Sequence, residues 1–190
     1  MNAVLEKHYI SVADYLVTEE LADFKSEYYA GEVFAMAGGT INHNQIIVNL
    51  CIILGIAFKK RDFRVFAENV KLHIPAWDTF TYPDVLIIKE PPQYWNNRRD
   101  IISNAVAIIE VLSDSTKEYD RSGKFDIYRA VPDLQDYILI SQDKVQIEHF
   151  SKQSPKQWLL TEYNQLSEVL TIAQLGNSLT LADIYDKVDL

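Results

Sequence analysis

The chain has 190 residues, of which 48% are hydrophobic, and it contains only 6 glycines and 6 prolines. This composition predicts one folded domain over residues 1–190 and excludes a disordered or fibrous chain. Cys51 is the only cysteine, which excludes a disulfide framework and a multi-cysteine zinc site within one chain. The formal net charge of −9 disfavours a broad nucleic-acid-binding surface, because phosphate contacts need local positive charge, but it does not exclude a local basic cleft.

The sequence shows no secretory signal and no membrane span. Residues 1–20 mix charged side chains among the apolar ones, and the longest apolar run, residues 46–58, is too short to cross a bilayer. These patterns predict a soluble cytoplasmic protein with no membrane partner.

The first predicted elements are a short helix, a hairpin and a long helix. Ser11 is the predicted N-cap of a helix that runs through Glu20, and Ala30-Gly31 is the predicted turn of a β-hairpin. Thr40 is the predicted N-cap of a long helix over residues 41–61. Because this helix is apolar on nearly every side, we expect it to be buried against a sheet.

The rest of the chain reads as strands with one further helix. Strands are predicted over residues 63–74, 82–89, 105–112, 136–140, 144–150 and 157–163. The helix begins at the capping-box pair Ser115 and Glu118 and continues to about Arg129, before Pro132. This order predicts an α/β or α+β domain built around one mixed β-sheet.

Two carboxylates stand inside predicted strands that are otherwise apolar. Asp84 follows Pro83 in "YPDVLIIK", and Glu110 lies in "AVAIIEVL". A buried carboxylate is costly unless it is paired or bound to a metal, so we expect the two to form a site on neighbouring strands. Pro83 would restrict the backbone where the strand begins and so help to aim Asp84. The alternative is that both carboxylates reach solvent at strand ends or pair with nearby bases.

The second predicted helix carries a basic stripe. At 100° per residue, Lys117, Arg121, Lys124 and Tyr128 fall on one side, and this side can point back toward the carboxylates. Carboxylates facing a lysine and an arginine predict a metal-assisted phosphoryl-transfer site, in which a lysine orients or deprotonates water or stabilises developing charge. The alternative is the solvated face of an amphipathic helix.

Three segments in this order, "GEVFAMAGGTINHN", "YPDVLII" and "IIEVLSDSTKEYDRSGKFDIY", resemble the Uma-two-type restriction endonucleases of the PD-(D/E)XK nuclease superfamily. The resemblance covers about residues 28–150. It implies a restriction-endonuclease-like mixed sheet flanked by helices, with Mg²⁺ or Mn²⁺ bound by Asp84 and Glu110. It also implies DNA as the substrate and a homodimer.

The sequence departs from the superfamily motif at one position. The motif places a lysine at position 112, where this chain has Leu112. The family supplies its lysine from the following helix, and Lys124 of "DRSGKF" is the matching position. The resemblance therefore implies Asp84, Glu110 and Lys124 as the catalytic residues.

The same resemblance gives Glu32 and His43 as further candidates, each with a structural alternative, and strand alternation gives two more. Glu32 is either a further carboxylate near the metal or a solvent-facing hairpin residue. His43 either contacts the scissile phosphate or packs at the start of the long helix. Glu68 and Lys71 lie in the strand before Asp84, and either can line the site by alternation along that strand.

One loop combines aromatic and basic residues outside the predicted core. Tyr94 and Trp95 stand beside Arg98 and Arg99, an arrangement that predicts either a base-stacking platform or a seal at the edge of the core.

The sequence thus predicts a Mg²⁺-dependent endonuclease that hydrolyses phosphodiester bonds in DNA. The alternative is a nuclease-fold module that binds nucleic acid or a protein partner without cleaving it. Leu112 and the acidic net charge favour that alternative, and the retained carboxylates with Lys124 favour the enzyme.

Overall fold

A computed structural model describes residues 9–36, 38–113 and 117–190. It has a six-stranded and a five-stranded sheet, each mixed, together with a two-stranded sheet and flanking helices. The predicted α+β class is confirmed, but the strands form more than the one sheet that was expected. Within the described part of the chain, no helix is both long and apolar enough to cross a bilayer.

The α-helices of the described residues are α1 Val12–Leu21, α2 Ile41–Ala57, α3 Lys117–Tyr119, α4 Phe125–Tyr128 and α5 Leu181–Ile184, with a π-helical segment Asp120–Lys124 between α3 and α4. Short 3₁₀ helices lie at Pro75–Trp77, Trp95–Asn97 and Ala173–Leu175. The strands are β1 Ser26–Tyr29, β2 Glu32–Ala35, β3 Phe63–Ala67, β4 Lys71–Ile74, β5 Thr79–Thr81, β6 Val85–Lys89, β7 Ile101–Ile102, β8 Ala105–Leu112, β9 Asp136–Ser141, β10 Ile147–Ser154, β11 Gln157–Tyr163, β12 Val169–Ile172 and β13 Asn177–Thr180.

The six-stranded sheet has the order β11-β10-β9-β8-β6-β3 and places β8 near its centre. β8 pairs antiparallel with β6 and parallel with β9. Ile109 and Val111 of β8 belong to the core shared with α2, whereas Ile108 and Leu112 belong to the core that contains Tyr128. Both faces of β8 are therefore buried, which explains its nearly continuous apolar sequence.

The stretch 63–74 forms two strands rather than the predicted one. β3 is the edge strand of the six-stranded sheet, whereas β4 lies in the five-stranded sheet. Between them, Glu68 has a φ of 52°, a conformation that interrupts an extended strand. The amide of Glu68 donates to the carbonyl oxygen of Asp84 at 3.1 Å. The chain thus changes sheets directly beside Asp84.

The five-stranded sheet contains the predicted hairpin. β1 and β2 pair antiparallel around Gly31, whose φ of 99° lies in the region that favours glycine. On one face Tyr28 packs into a small core with Tyr15 and Phe80. The opposite face carries Glu27, whose neighbour across the sheet is Thr81.

Helix α2 begins as predicted but is not buried on every side. Thr40 Oγ1 accepts a hydrogen bond from the amide of His43 at 3.1 Å, which confirms the N-cap, and the helix ends at Ala57. Leu50 is fully buried, whereas Ile41 and Ile56 are 86% and 73% exposed. The helix packs against the six-stranded sheet as expected, but its outer face remains exposed.

The segment 117–128 is helical but irregular. The predicted cap Ser115 and the side chain of Glu118 lie outside the described residues. A π-helical stretch over Asp120–Lys124 replaces regular α-helix. Because a π turn holds more residues than an α turn, the 100° rule fails here, and Asp120, Lys124 and Tyr128 face the six-stranded sheet together.

Candidate active site

Asp84 and Glu110 lie side by side, as the sequence predicted. Asp84 directly precedes β6, and the next residue, Val85, pairs with Ile109 of β8. The main-chain nitrogen of Asp84 lies 3.4 Å from Oε2 of Glu110, and the amide of Val111 donates to Oδ2 of Asp84 at 2.7 Å. The strand pairing therefore brings both carboxylates to one end of the sheet.

Glu110 is held by side chains from the segment 117–128. Its Oε1 accepts hydrogen bonds from Lys124 Nζ at 3.1 Å and from the Tyr128 hydroxyl at 2.6 Å. Only 2% of the Glu110 surface is exposed. This burial raises the pKa of Glu110 to about 8, against the opposing influence of Lys124.

Lys124 lies among several carboxylates. Its Nζ is 3.2 Å from Oδ1 of Asp120 in addition to its contact with Glu110. Burial acts to lower the pKa of Lys124, but the negative charges of Glu110, Glu27 and Asp120 outweigh it and hold the pKa well above its usual value. Lys124 is therefore an ammonium group at neutral pH.

A second group of ligand-type side chains surrounds Asp84. His43, Glu68 and Asp84 each place one potential ligand atom here, and these three atoms lie within 4.8 Å of one another. His43 Nε2 is 3.2 Å from Asp84 Oδ2. Burial acts to lower the pKa of His43, but its hydrogen bond to Asp84 outweighs this and raises the pKa. The Nδ1 atom of His43 is buried and has no hydrogen-bond partner among the described residues.

Glu27 belongs to the same region, although sequence reasoning did not single it out. Its Oε1 accepts hydrogen bonds from Thr81 Oγ1 and, at 3.3 Å, from the amide of Tyr82. Its Oε2 accepts one from the Tyr29 hydroxyl at 2.9 Å. Thr81 Oγ1 is also 3.3 Å from the hydroxyl of Tyr128, so Glu27 is linked to Glu110 through two hydroxyl groups. The available signal was a glutamate inside the short strand "SEYY".

The remaining predicted site residues differ in whether they face Asp84 and Glu110. Arg121 forms an ion pair with Glu148 of β10, with Nη2 2.6 Å from Oε1, rather than turning toward Glu110. Lys117 is exposed at the beginning of α3. Glu32 pairs with Tyr29 across the hairpin, which places it on the same face as Glu27.

Lys71 and the residues of the 94–99 loop form their contacts away from Asp84 and Glu110. Lys71 is 2% exposed, and its Nζ lies 2.6 Å from Oε2 of Glu19 in α1. Trp95 packs edge-on against Phe80 with ring centroids 5.1 Å apart. Arg98 forms ion pairs with Glu20 and Asp100. Trp95 therefore seals an edge of the core, which is the structural alternative for this loop.

Comparison with known proteins gives relatives over nearly the whole chain. The chain is 38% identical to the uncharacterized protein sll1609 of Synechocystis sp. over 162 residues, which cover 85% of this chain and 92% of that protein. It is 34% identical to the uncharacterized protein slr1290 of the same organism over 176 residues, which cover 93% of this chain and 91% of that protein.

The fold is similar to that of a putative nuclease belonging to DUF820 from Anabaena variabilis. The two structures superpose with a TM-score of 0.74 at 18% sequence identity, over 93% of this chain and 97% of the other. This likeness confirms the predicted nuclease-type fold. Residues 12–182 match the sequence profile of Uma2, described as a putative restriction endonuclease. The chain therefore belongs to the Uma2 family, as its sequence motifs had indicated.

Proposed function

We propose that this chain is a divalent-metal-dependent endonuclease that hydrolyses phosphodiester bonds in DNA at the site around Asp84 and Glu110. The observation that carries the proposal is a buried lysine–carboxylate pair, Lys124 Nζ at 3.1 Å from Glu110 Oε1, directly beside Asp84. Membership of the Uma2 family supports nuclease activity and a DNA substrate. A DNA substrate is in keeping with the cytoplasmic location expected from the sequence.

The donor atoms fit a hard divalent cation. Mg²⁺ and Mn²⁺ prefer carboxylate oxygens, and Asp84, Glu68 and Glu110 are the side chains that would supply them. An imidazole is a poorer ligand for these ions. His43 instead fits a supporting role, because its hydrogen bond to Oδ2 of Asp84 can fix the orientation of that carboxylate.

The charge balance of the site also favours a cation. The carboxylates of Glu27, Glu68, Asp84, Glu110 and Asp120 are gathered here. Against them stand the ammonium groups of Lys124 and of Lys25, which donates to the carbonyl oxygen of Glu68 at 3.0 Å. Carboxylates that share a site repel one another, so a bound divalent ion would offset this repulsion.

The residues of the chain can be given distinct roles in hydrolysis. A bound ion would supply Lewis-acid activation of water and would neutralise charge on the phosphate. Lys124 remains protonated, so it contributes positive charge to the developing phosphorane rather than accepting a proton. Tyr128 holds Oε1 of Glu110, which leaves Oε2 directed toward Asp84.

Leu112 no longer favours the non-cleaving alternative. Leu112 is 5% exposed and packs in the core, so the motif position cannot hold a lysine at the site without disturbing that core. The amine comes instead from Lys124, on the helical segment that crosses the same end of the sheet. Because the helical segment supplies the lysine that β8 lacks, the site keeps the groups that nuclease chemistry needs.

The proposal is tested by cleavage of supercoiled plasmid and of single-stranded DNA in the presence of Mg²⁺, Mn²⁺ or EDTA. We expect metal-dependent cutting by the native protein and its loss in Asp84→Asn, which keeps an oxygen that can accept from the Val111 amide. Asp143→Asn is the matched control, because Asp143 is exposed and lies outside the site. Equal cutting by all three proteins would indicate a contaminant and would remove the support for this site.

We also propose a homodimer formed through the outer face of α2. Val48, Ile52 and Ile56 are 50%, 56% and 73% exposed and lie on one side of the helix. α2 contains no charged residue between Ile41 and Ala57, so two copies can meet without like charges opposing each other. A second copy packed antiparallel on this stripe would bury the same apolar side chains on both partners.

Light scattering coupled to gel filtration tests the dimer. The native protein is expected at twice the chain mass, and Ile52→Lys at the chain mass. Leu159→Lys is the matched control, because Leu159 is 52% exposed on a strand far from α2 in the chain. A native monomer, or a dimer that Ile52→Lys leaves intact, contradicts this interface.

A further inference from the structure

An exposed aromatic cluster borders the candidate active site. Tyr29 of β1 packs edge-on against Phe34 of β2, with ring centroids 5.7 Å apart, and against Tyr119 of α3, with centroids 6.1 Å apart. Phe34 is 49% exposed and Tyr119 is 42% exposed, whereas Tyr29 between them is half-buried. We call Phe34, Tyr29 and Tyr119 the aromatic rim.

The aromatic rim is connected to the buried carboxylates. The hydroxyl of Tyr29 donates to Oε2 of Glu27 at 2.9 Å. Tyr119 directly precedes Asp120, whose carboxylate is 3.2 Å from Lys124 Nζ. The rim therefore lies beside the proposed catalytic groups and is partly open to solvent.

Base stacking on these rings would attract DNA to this acidic chain without relying on charge. The net charge is −9 and the site is rich in carboxylates, so contacts to phosphates alone provide little attraction. Aromatic rings bind the flat faces of bases without requiring positive charge. Those faces are covered by neighbouring bases in a duplex and are available in a single strand.

We propose that the aromatic rim stacks an unpaired base, and that the chain prefers single-stranded DNA over duplex DNA. This inference rests on the proposed function, since it names the form of DNA that the same site receives. Tyr119 is the ring that contacts the base, and Phe34 supports it from the other side of Tyr29.

The chain offers a matched control for this role. Tyr94 is 45% exposed, close to the exposure of Tyr119, and it lies in the 94–99 loop together with Arg98. Arg98 is already paired with Glu20 and Asp100, and Trp95 packs into the core edge. Tyr94→Ala therefore removes an equally exposed tyrosine without touching the aromatic rim.

The test measures binding of a fluorescein-labelled single-stranded oligonucleotide, and of its duplex, by anisotropy in Ca²⁺. A second oligonucleotide carries 2-aminopurine, whose fluorescence falls when it stacks. We expect native protein and Tyr119→Phe to bind the single strand alike and to quench the probe. Tyr119→Ala should bind about tenfold more weakly, the fold-change that corresponds to about 1.4 kcal/mol for one stacked base, and should quench less. Circular dichroism and thermal melting establish that each variant is folded.

The outcomes separate this inference from the proposed function. Equal single-strand binding by Tyr119→Ala and native protein, a similar loss in Tyr94→Ala, or tighter binding of duplex overturns the stacking inference. If the native protein still cuts DNA in an Asp84-dependent way, the proposed function survives that result. If the native protein neither binds nor cuts DNA of either form, both proposals fail.

Discussion

The ammonium nitrogen of Lys124 lies 3.1 Å from Oε1 of Glu110, although the two residues are 14 positions apart and belong to different elements. Glu110 lies on β8, and Lys124 is the last residue of the π-helical segment. This pair gives the site a buried cation next to a carboxylate whose pKa is raised to about 8.

Lys124→Met is expected to lower kcat/KM for DNA cleavage by about 10²–10³-fold. The substitution removes a preorganised positive charge, and charges of this kind contribute a few kcal/mol to transition-state stabilisation. Steady-state cleavage at saturating Mn²⁺ measures the effect. Lys156→Met, which alters an exposed lysine in the β10–β11 turn, should retain native activity. Full activity of Lys124→Met would show that the lysine has no part in catalysis.

Tyr128→Phe is expected to lower activity as well as stability. The hydroxyl of Tyr128 donates to Oε1 of Glu110 at 2.6 Å, so its removal leaves Lys124 as the one remaining side-chain donor to Oε1 among the described residues. Urea unfolding should show a loss of about 1–2 kcal/mol, the contribution of one buried hydrogen bond. We expect kcat to fall more than KM rises.

Tyr137→Phe is the matched control for that experiment. The hydroxyl of Tyr137 is also buried, but it donates to the carbonyl oxygen of Asp120 at 2.9 Å and not to Glu110. Its loss of stability should be similar, with kcat nearly unchanged. Equal losses of kcat in the two variants would assign the effect to general destabilisation.

Metal binding should become tighter as the pH rises toward 8. The pKa of Glu110 is raised to about 8, so below that pH the carboxyl of the metal-free protein holds a proton that a metal ion must displace. The Kd for Mn²⁺ is expected to fall about tenfold per pH unit between pH 6 and 8 and then to level off. Electron paramagnetic resonance of free Mn²⁺ measures it.

Glu110→Gln supplies the comparison for the pH series. This variant has no carboxyl proton to displace, so its Mn²⁺ affinity should be weaker at pH 8 and nearly independent of pH between 7 and 8. A native protein whose affinity does not change over this range would mean that Glu110 takes no part in binding the ion.

Lys71→Met is expected to destabilise the fold without a direct effect on the site. Lys71 is 2% exposed and pairs with Glu19 at 2.6 Å, so the substitution leaves a carboxylate without its cation at a buried position. Loss of one partner from a buried pair costs about 3–5 kcal/mol. Urea unfolding measures this cost, and Mn²⁺ affinity should remain native under folding conditions.

Arg64→Met provides the contrast with a surface pair. Arg64 pairs with Glu90, but its side chain is 53% exposed, so the loss should be below about 1 kcal/mol. If Lys71→Met costs no more than Arg64→Met, the buried pair does not stabilise the fold as proposed.

Local sequence signals predicted several parts of the fold and site. Thr40 was recognisable as a cap because its side chain satisfies a free amide at the start of α2. The neighbouring positions of Asp84 and Glu110 followed from two apolar strands that each contain one acidic residue. Both inferences depend on short stretches of chain, where spacing determines which groups meet.

Other features depend on distant parts of the chain and were not predictable in this way. At the break, the amide of Glu68 bonds to the carbonyl of Asp84, in a segment that local spacing does not connect to β3. The π-helical segment turns Arg121 toward Glu148 and Lys124 toward Glu110, which a regular 100° spacing does not describe. Glu27 was missed because its partners, Thr81 and Tyr82, are 54 and 55 positions away.

The position of Mn²⁺ in crystals of the native protein, located by its anomalous scattering, decides whether Asp84 and its neighbours bind the metal. We expect a peak about 2.0–2.3 Å from a carboxylate oxygen of Asp84 and from one of Glu68 or Glu110, within the range for hard divalent cations. The same data from Asp84→Asn should show a weaker peak or none. A peak elsewhere in the molecule, or no peak at saturating Mn²⁺, would contradict the assignment of this site as the metal centre.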